Sequence, residues 1–154
     1  MESDASMKRA NKTRKPSAAP ASPAGYSGTP LPKKLGIKAN STVLLVGAPD
    51  GFETTLGPTE PGAQLVRSAR KPADLVLLFV RSESEYVKKL PAALKKVGEG
   101  GAIWMAWPKK ASGIATDLSE NVIRDICLTT GFVDYKVCAI DATWSGLKFA
   151  RRRK

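Results

Sequence analysis

The chain has 154 residues, with 25 lysines and arginines, 14 aspartates and glutamates and no histidine, so its formal net charge is +11. This length favours one domain that can bury a core of its own. The absence of histidine excludes Ser-His-Asp and Cys-His nucleophile systems and imidazole metal sites, and two cysteines without an acidic cluster leave no structural zinc site. We therefore predict neither catalytic residues nor metal ligands.

The first 25 residues are predicted to form a disordered basic tail. They combine five basic residues with alanine, serine and proline and hold almost no large apolar side chain, so burial cannot offset the entropy lost on ordering. Residues 151–154 are predicted to be a second basic tail, and residues 26–150 a single α/β domain. Both tails predict nonspecific attraction to nucleic acid.

The first half of the domain reads as short elements separated by turns. A short helix is closed by Gly36, and the continuous apolar run at 43–46 predicts a strand buried on both faces. The turn at Gly47 to Gly51 follows. A single helical turn is predicted at 52–56 and a short strand at 64–66.

The second half alternates longer strands and helices. One helix is predicted over 83–97, with Ser82 and Glu85 forming a capping box, and another over 117–130, capped by Asp117. Four strands are predicted, at residues 74–80, 102–107, 132–140 and 144–150.

Strands that alternate with helices indicate a parallel sheet with right-handed crossovers. The last two strands are joined by a link too short for a crossover, so they must form an antiparallel hairpin. The predicted fold class is therefore α/β: a small, three-layer, Rossmann-like mixed sheet with an antiparallel C-terminal hairpin.

No segment has the composition of a membrane span. The longest apolar runs, at 43–46 and 75–80, are far shorter than the ~20 residues that a spanning helix needs. The basic N-terminal segment is not followed by the apolar stretch of a secretory signal. We predict a cytoplasmic protein that does not bind membranes and whose two cysteines are reduced.

This order of elements resembles the second half of the class I methyltransferase fold. The resemblance implies an S-adenosylmethionine site on the loop after the first strand, and an acidic residue after the second strand that holds the cofactor ribose. In this sequence the loop glycines, Gly47 and Gly51, are four residues apart, and the residue after the second strand is Arg67.

Three longer segments resemble a family of short bacterial proteins catalogued as a domain of unknown function. They read GYSGTPLPKKLGI at 25–37, WPKKASGIATDLSEN at 107–121 and WSGLKF at 144–149. The likeness extends over residues 25–152, and the family implies no activity.

The loop that follows the strand at 102–107 is the first candidate for a binding site, because open α/β sheets bind ligands beyond the carboxyl ends of their strands. Lys109 and Lys110 leave that strand and run towards a helix start, where free backbone N–H groups favour an anion. Ser112 and Thr116 are predicted to donate further hydrogen bonds. A solvated loop without a ligand is the alternative interpretation.

The turn at Gly47 to Gly51 is the second candidate. Its Pro-Asp-Gly sequence also makes a good tight turn without any ligand, and the Lys-Ser/Thr pair of a phosphate-binding loop is missing. Asp50 is the carboxylate in this turn that is placed to meet a ligand hydroxyl.

Two tryptophans are candidates for stacking on a ligand. Trp107 stands at the end of its strand, and Trp144 is followed closely by Lys148 on the terminal hairpin, as in a base-stacking platform. Packing in the core for Trp107, and at the sheet edge for Trp144, are the alternatives. Trp104 and Trp107 are three residues apart, so they are predicted to point to opposite faces of the sheet.

The leading functional hypothesis is a non-catalytic module that binds an anionic ligand, of the phosphate or nucleotide type or a nucleic-acid backbone. It needs no cofactor. The first alternative is a reduced methyltransferase-like enzyme that binds S-adenosylmethionine. The second is a protein-interaction adaptor, which predicts an exposed apolar patch; its protein partners cannot be named from the sequence.

Overall fold

The structure, a computed structural model, describes residues 29–151. It contains four α-helices: α1 (Leu31–Leu35), α2 (Phe52–Leu56), α3 (Glu83–Lys95) and α4 (Glu120–Leu128). It contains six strands: β1 (Thr42–Val46), β2 (Gln64–Val66), β3 (Ala73–Phe79), β4 (Val97–Pro108), β5 (Phe132–Ala139) and β6 (Trp144–Arg151). The predicted N-terminal tail lies outside the described residues, as do residues 152–154.

The six strands form one sheet in the order β2-β1-β3-β4-β6-β5. The first four are parallel, β6 runs antiparallel to β4, and β5 runs antiparallel to β6. The predicted mixed sheet with an antiparallel C-terminal hairpin is therefore confirmed. One detail differs: β6 lies inside the sheet and β5 forms its edge. Arg151, which the sequence placed in the tail, is the last residue of β6.

Helices cover both faces of the sheet, as the three-layer prediction requires. α3 and α4 bury Tyr86 and Ile123 in one core, and α1 and α2 bury Leu35 and Phe52 in the other. The two tryptophans of β4 point to opposite faces as expected: Trp107 belongs to the α3/α4 core, whereas Trp104 belongs to the α1/α2 core and donates its indole N–H to the Leu35 carbonyl at 2.9 Å.

The connection from β2 to β3 is unusually short. Consecutive parallel strands of a sheet are ordinarily joined by a crossover of a dozen or more residues, usually a helix. Here only residues 67–72 cross over β1, and no helix forms among them. Lys96, at the end of α3, holds this link by donating from Nζ to the Ala69 carbonyl at 2.7 Å.

The two longer helices begin differently. Ser82 caps α3 as predicted, and its hydroxyl accepts the Glu85 N–H at 3.2 Å. α4 begins at Glu120, later than predicted, and its cap is Ser119, which accepts the Val122 N–H. The prediction that Asp117 caps α4 is wrong, because the Asp117 carboxylate accepts the Glu83 N–H at 2.8 Å and so caps α3.

Both cysteines are free thiols. Cys127 is buried, and burial raises its pKa to about 11. Cys138 is half-buried, and burial raises its pKa as well. Neither thiol is therefore activated as a nucleophile. Across residues 29–151, no helix is long and apolar enough to cross a membrane.

Candidate functional site

Three loops meet at the carboxyl edge of the parallel strands. They follow β1, β3 and β4, and the last two are tied together by hydrogen bonds. The Thr116 hydroxyl donates to the Arg81 carbonyl at 2.6 Å. The bond from the Glu83 N–H to Asp117 makes a second tie between the same loops. The loop after β4 is thus held against the start of α3.

The predicted lysines stand at the start of this loop. Lys109 is half-buried, and its N–H donates to the Thr143 carbonyl at 2.8 Å, which joins the loop to the β5–β6 turn. Lys110 is exposed and begins a single turn of 3-10 helix that ends at Ser112. Both ammonium groups are therefore carried on an ordered backbone.

The two predicted hydroxyl donors both serve the loop itself. Ser112 donates to the Lys109 carbonyl at 2.6 Å and accepts the Ile114 N–H. Thr116, which donates to Arg81, also accepts the Leu118 N–H. Each hydroxyl has one proton to give, and here both protons go to backbone carbonyls. The helix start that was expected beside the lysines is also displaced, since α4 begins only at Glu120.

Both candidate stacking residues are buried. Trp107 is only 6% exposed and packs in the α3/α4 core. Trp144 is 4% exposed, and its ring meets Phe79 edge-on with the ring centroids 5.1 Å apart. The Arg81 guanidinium lies over the Trp144 ring, 5.2 Å from its centroid. A cation thus occupies the face on which a base would have stacked.

The loop after β1 is closed by Arg67. This guanidinium donates to the carbonyls of Ala48 and Pro49, each at 3.0 Å, and pairs with both carboxylate oxygens of Glu53. The hydrogen bond from Arg67 lowers the pKa of Glu53 below its usual value. The predicted residues stand on this closed loop: Gly47 and Gly51 have φ values of +72° and +80°, and Asp50 is exposed.

Charge is distributed unevenly along the carboxyl edge. Arg67 is paired with Glu53, and Lys89 is paired with Glu85 at 2.9 Å. Within the described part of the chain, no carboxylate lies within salt-bridge distance of Arg81, Lys109 or Lys110. The three side-chain cations of the loops after β3 and β4 are therefore without a salt bridge in the described structure, whereas Arg67 beside the loop after β1 has one. The Glu85 carboxylate is nevertheless close to Arg81, since it accepts the Arg81 backbone N–H at 2.7 Å.

Two basic residues at the carboxyl edge were not among the predicted site residues. Arg81 lies two residues after β3, and Arg67 directly follows β2 and closes the first loop. A basic residue within two positions of the end of a parallel strand was the available signal, because such a position falls on the carboxyl edge. Among the residues that the structure describes, no cluster of His, Cys, Asp and Glu is arranged to hold a metal ion.

The fold is that of Rossmann-like class I methyltransferases. The structure is similar to a ribosomal protein L11 methylase from Lactobacillus delbrueckii subsp. bulgaricus, with a TM-score of 0.55, 13% identity and coverage of 80% of this chain and 75% of that one. It is similar to a SAM-dependent methyltransferase from Aquifex aeolicus, with a TM-score of 0.56, 15% identity and coverage of 76% and 85%. At such identities the likeness shows the fold alone.

Sequence comparison places the chain more narrowly. Residues 33–153 match the family described as a protein of unknown function, DUF3052, and the chain belongs to that family. Comparison with curated proteins gave no match. The resemblance seen in the three sequence segments is thus confirmed.

The residues of the first loop do not fit S-adenosylmethionine, the cofactor that the fold resemblance implies. The residue after β2 is the cation Arg67 instead of the acid that would hold the ribose, and its guanidinium ties up two carbonyls of the loop. Lys89 adds a second cation, whose Nζ is 3.4 Å from where a side chain on Gly47 would begin. No methyl-transfer step is assigned to these residues.

Proposed function

We propose that this protein is a cytoplasmic, non-catalytic module that binds an anionic ligand of the phosphate or nucleotide type at the carboxyl edge of its sheet. One observation carries the proposal: Arg81, Lys109 and Lys110 lie on two loops that are tied together, and none has a carboxylate partner in the described structure. A phosphate group would supply the missing negative charge and accept from several of these donors.

The framework around these cations supports binding at one place. Arg81 lies over Trp144, and Trp144 pairs across the sheet with Pro108, which directly precedes Lys109. The Arg81 guanidinium therefore lies over a residue whose strand partner, Pro108, is next to Lys109 in the chain. Such an ordered arrangement reduces the entropy that a ligand must remove on binding.

The side chains around the edge favour binding without chemistry. The Ser112 and Thr116 hydroxyls donate to backbone carbonyls, so neither is directed at a base that would activate it. The Cys127 thiol is buried and its pKa is raised. A protein that holds an anion but does not transform it agrees with these side chains better than an enzyme does.

The test is a titration of the full chain with inorganic phosphate, ATP and a short single-stranded oligonucleotide, followed by calorimetry and by amide NMR signals. We expect the signals of Arg81 and of residues 109–113 to shift. The double substitution Lys109→Ala with Lys110→Ala is expected to weaken binding about tenfold, and Lys33→Ala with Lys38→Ala, which removes two exposed charges elsewhere, to weaken it less than about twofold.

Two outcomes would reject the proposal. An equal loss in both double variants would mean that net charge alone attracts the ligand, as the basic tails would, with the steep salt dependence of nonspecific binding. Binding of S-adenosylmethionine with shifts at Gly47 to Gly51 would instead support the methyltransferase-like alternative.

A further inference from the structure

An apolar groove on the α3/α4 face of the sheet plays no part in the proposed anion site. Its volume is about 450 Å³. The floor is formed by apolar side chains from three elements, namely Leu44 and Val46 of β1, Ala69 of the β2–β3 link, and Ala92 and Ala93 of α3. Leu44 and Ala93 are buried, Val46 and Ala69 are half-buried and Ala92 is exposed, so the groove presents a small, partly exposed apolar surface.

The groove exists because the link from β2 to β3 is short. A helical crossover would have covered β1 on this face, as helices cover the parallel sheets of three-layer folds. The link at 67–72 crosses β1 without forming a helix, and its Ala69 packs against the core.

The α3 side of the groove would allow another helix to pack closely against α3. Lys88, Ala92 and Lys96 are spaced four residues apart and so share one helical face. Ala92 is exposed and its methyl group stands between the two lysine stems. A small side chain at this position lets the backbone of another helix come near, while the lysines flank it.

The rim is strongly basic. The link at 67–72 and α3 with its C-cap, residues 83–96, hold seven basic residues and only two acidic ones. Of these residues, four basic ones line the groove, namely Arg67, Lys88, Lys89 and Lys96, and no acidic residue does. Arg67 and Lys89 have carboxylate partners, whereas Lys88 has none within the described residues.

We propose that this groove docks an acidic amphipathic helix of a partner protein. Apolar side chains on one face of that helix would pack on Leu44, Val46 and the alanines, and its carboxylates would meet Lys88 and Lys96 at the rim. The chain's own N-terminal segment is a poor occupant, because residues 1–25 carry five basic and two acidic residues and would be repelled.

The experiment uses a labelled synthetic peptide of about 14 residues, four helical turns, with leucine on one face and glutamate elsewhere. Its binding to the full chain is followed by fluorescence anisotropy. Ala92→Glu places bulk and negative charge in the groove, and Lys88→Glu reverses the charge of the rim. We expect each to weaken binding about tenfold.

Matched controls make the same changes on other surfaces. Ala39 and Lys33 are both exposed and lie away from α3, so Ala39→Glu and Lys33→Glu are expected to alter binding less than about twofold. A peptide of identical composition but scrambled order, which cannot present an apolar face, is expected to bind at least tenfold more weakly.

Three results would overturn the docking proposal. The first is equal binding of the ordered and scrambled peptides, and the second is an equal loss in the Lys88 and Lys33 variants. The third is self-association of the chain in sedimentation that Ala92→Glu abolishes, since a second copy would then be the occupant. Failure here leaves the anion site untouched, because Lys109→Ala with Lys110→Ala tests that site separately.

Discussion

The loops after β1 and β4 flank the same central strand, β3, and both lie beside basic side chains, but they compensate that charge differently. Beside the first loop, Arg67 pairs with Glu53 and Lys89 pairs with Glu85. In the second, Lys109 and Lys110 are not matched by any described carboxylate. A basic side chain at the carboxyl edge is therefore not enough to make an anion site. If a carboxylate already pairs with that side chain, its positive charge is not available to a ligand.

The largest expected loss of stability comes from a substitution in the loop after β1, where the backbone is closely packed. Gly47 has a φ of +72°, and a Cβ added there would lie 2.7 Å from the Phe79 carbonyl oxygen. Gly47→Ala should therefore lower the free energy of unfolding by about 3 kcal/mol. At Gly51 the φ is also positive but nothing lies within 4 Å, so Gly51→Ala should cost only about 1 kcal/mol. Equal losses in urea unfolding would contradict this difference.

A direct test of the role of pairing replaces one unpaired and one paired arginine at the carboxyl edge. Arg81→Gln removes a cation that has no described carboxylate partner, and should weaken binding of inorganic phosphate about tenfold, or about 1.4 kcal/mol. Arg67→Gln removes a cation already paired with Glu53, and should change the affinity less than about twofold. Calorimetry at about 50 mM NaCl separates the two. Equal losses would show that pairing does not decide which cation binds.

A smaller loss of stability is expected when the hydrogen bond between the loop after β4 and the start of α3 is removed. Asp117→Ala removes the carboxylate that accepts the Glu83 N–H, and should lower the free energy of unfolding by about 1 kcal/mol, as the loss of a helix cap does. Asp125→Ala provides the control, because Asp125 is exposed on α4 and its loss should stay within about 0.5 kcal/mol. If the two variants have the same stability, Asp117 does not cap α3.

The smallest effect is the pH response of the first loop. The hydrogen bond from Arg67 lowers the pKa of Glu53 from its ordinary value of 4.5. The contribution of the Glu53–Arg67 pair to stability is therefore fully present above pH 4.5, the ordinary pKa of Glu53. It is lost as the pH falls through the lower pKa that Glu53 has in the folded state. Glu53→Gln should lower the Tm slightly at pH 7, and the difference should vanish in acid. Since the pair is exposed, salt should shrink the difference as well. A Tm difference that persists in acid would exclude the ion pair as its cause.

The order of elements was predictable because the physical signals are local. Continuous apolar runs such as 43–46 mark strands buried on both faces, and the short link between the last two strands requires a hairpin. The Ser82 cap lies three residues from the N–H that it accepts. Each of these features depends on neighbours within the same few residues, so the sequence alone indicates it.

The features that were missed depend on partners far along the chain. Asp117 caps a helix that begins 34 residues earlier, and Arg67 bonds carbonyls 18 and 19 residues before it. Nothing in the spacing of residues distinguishes these contacts from nearer ones. The sequence places Lys109 and Lys110 at the carboxyl edge because strand ends are predictable. Arg81 was not among the predicted site residues, because its position over the Trp144 ring depends on a contact 63 residues along the chain.

The interior place of β6 has a consequence for biosynthesis. Until residues 144–151 have been made, β4 has no neighbour on one side, and its buried run from Ala102 to Pro108 presents an apolar, unpaired edge. Such edges pair readily with other chains. A nascent chain that has emerged only as far as β5 therefore cannot complete this sheet, and β6 is the strand that protects the edge of β4 from aggregation.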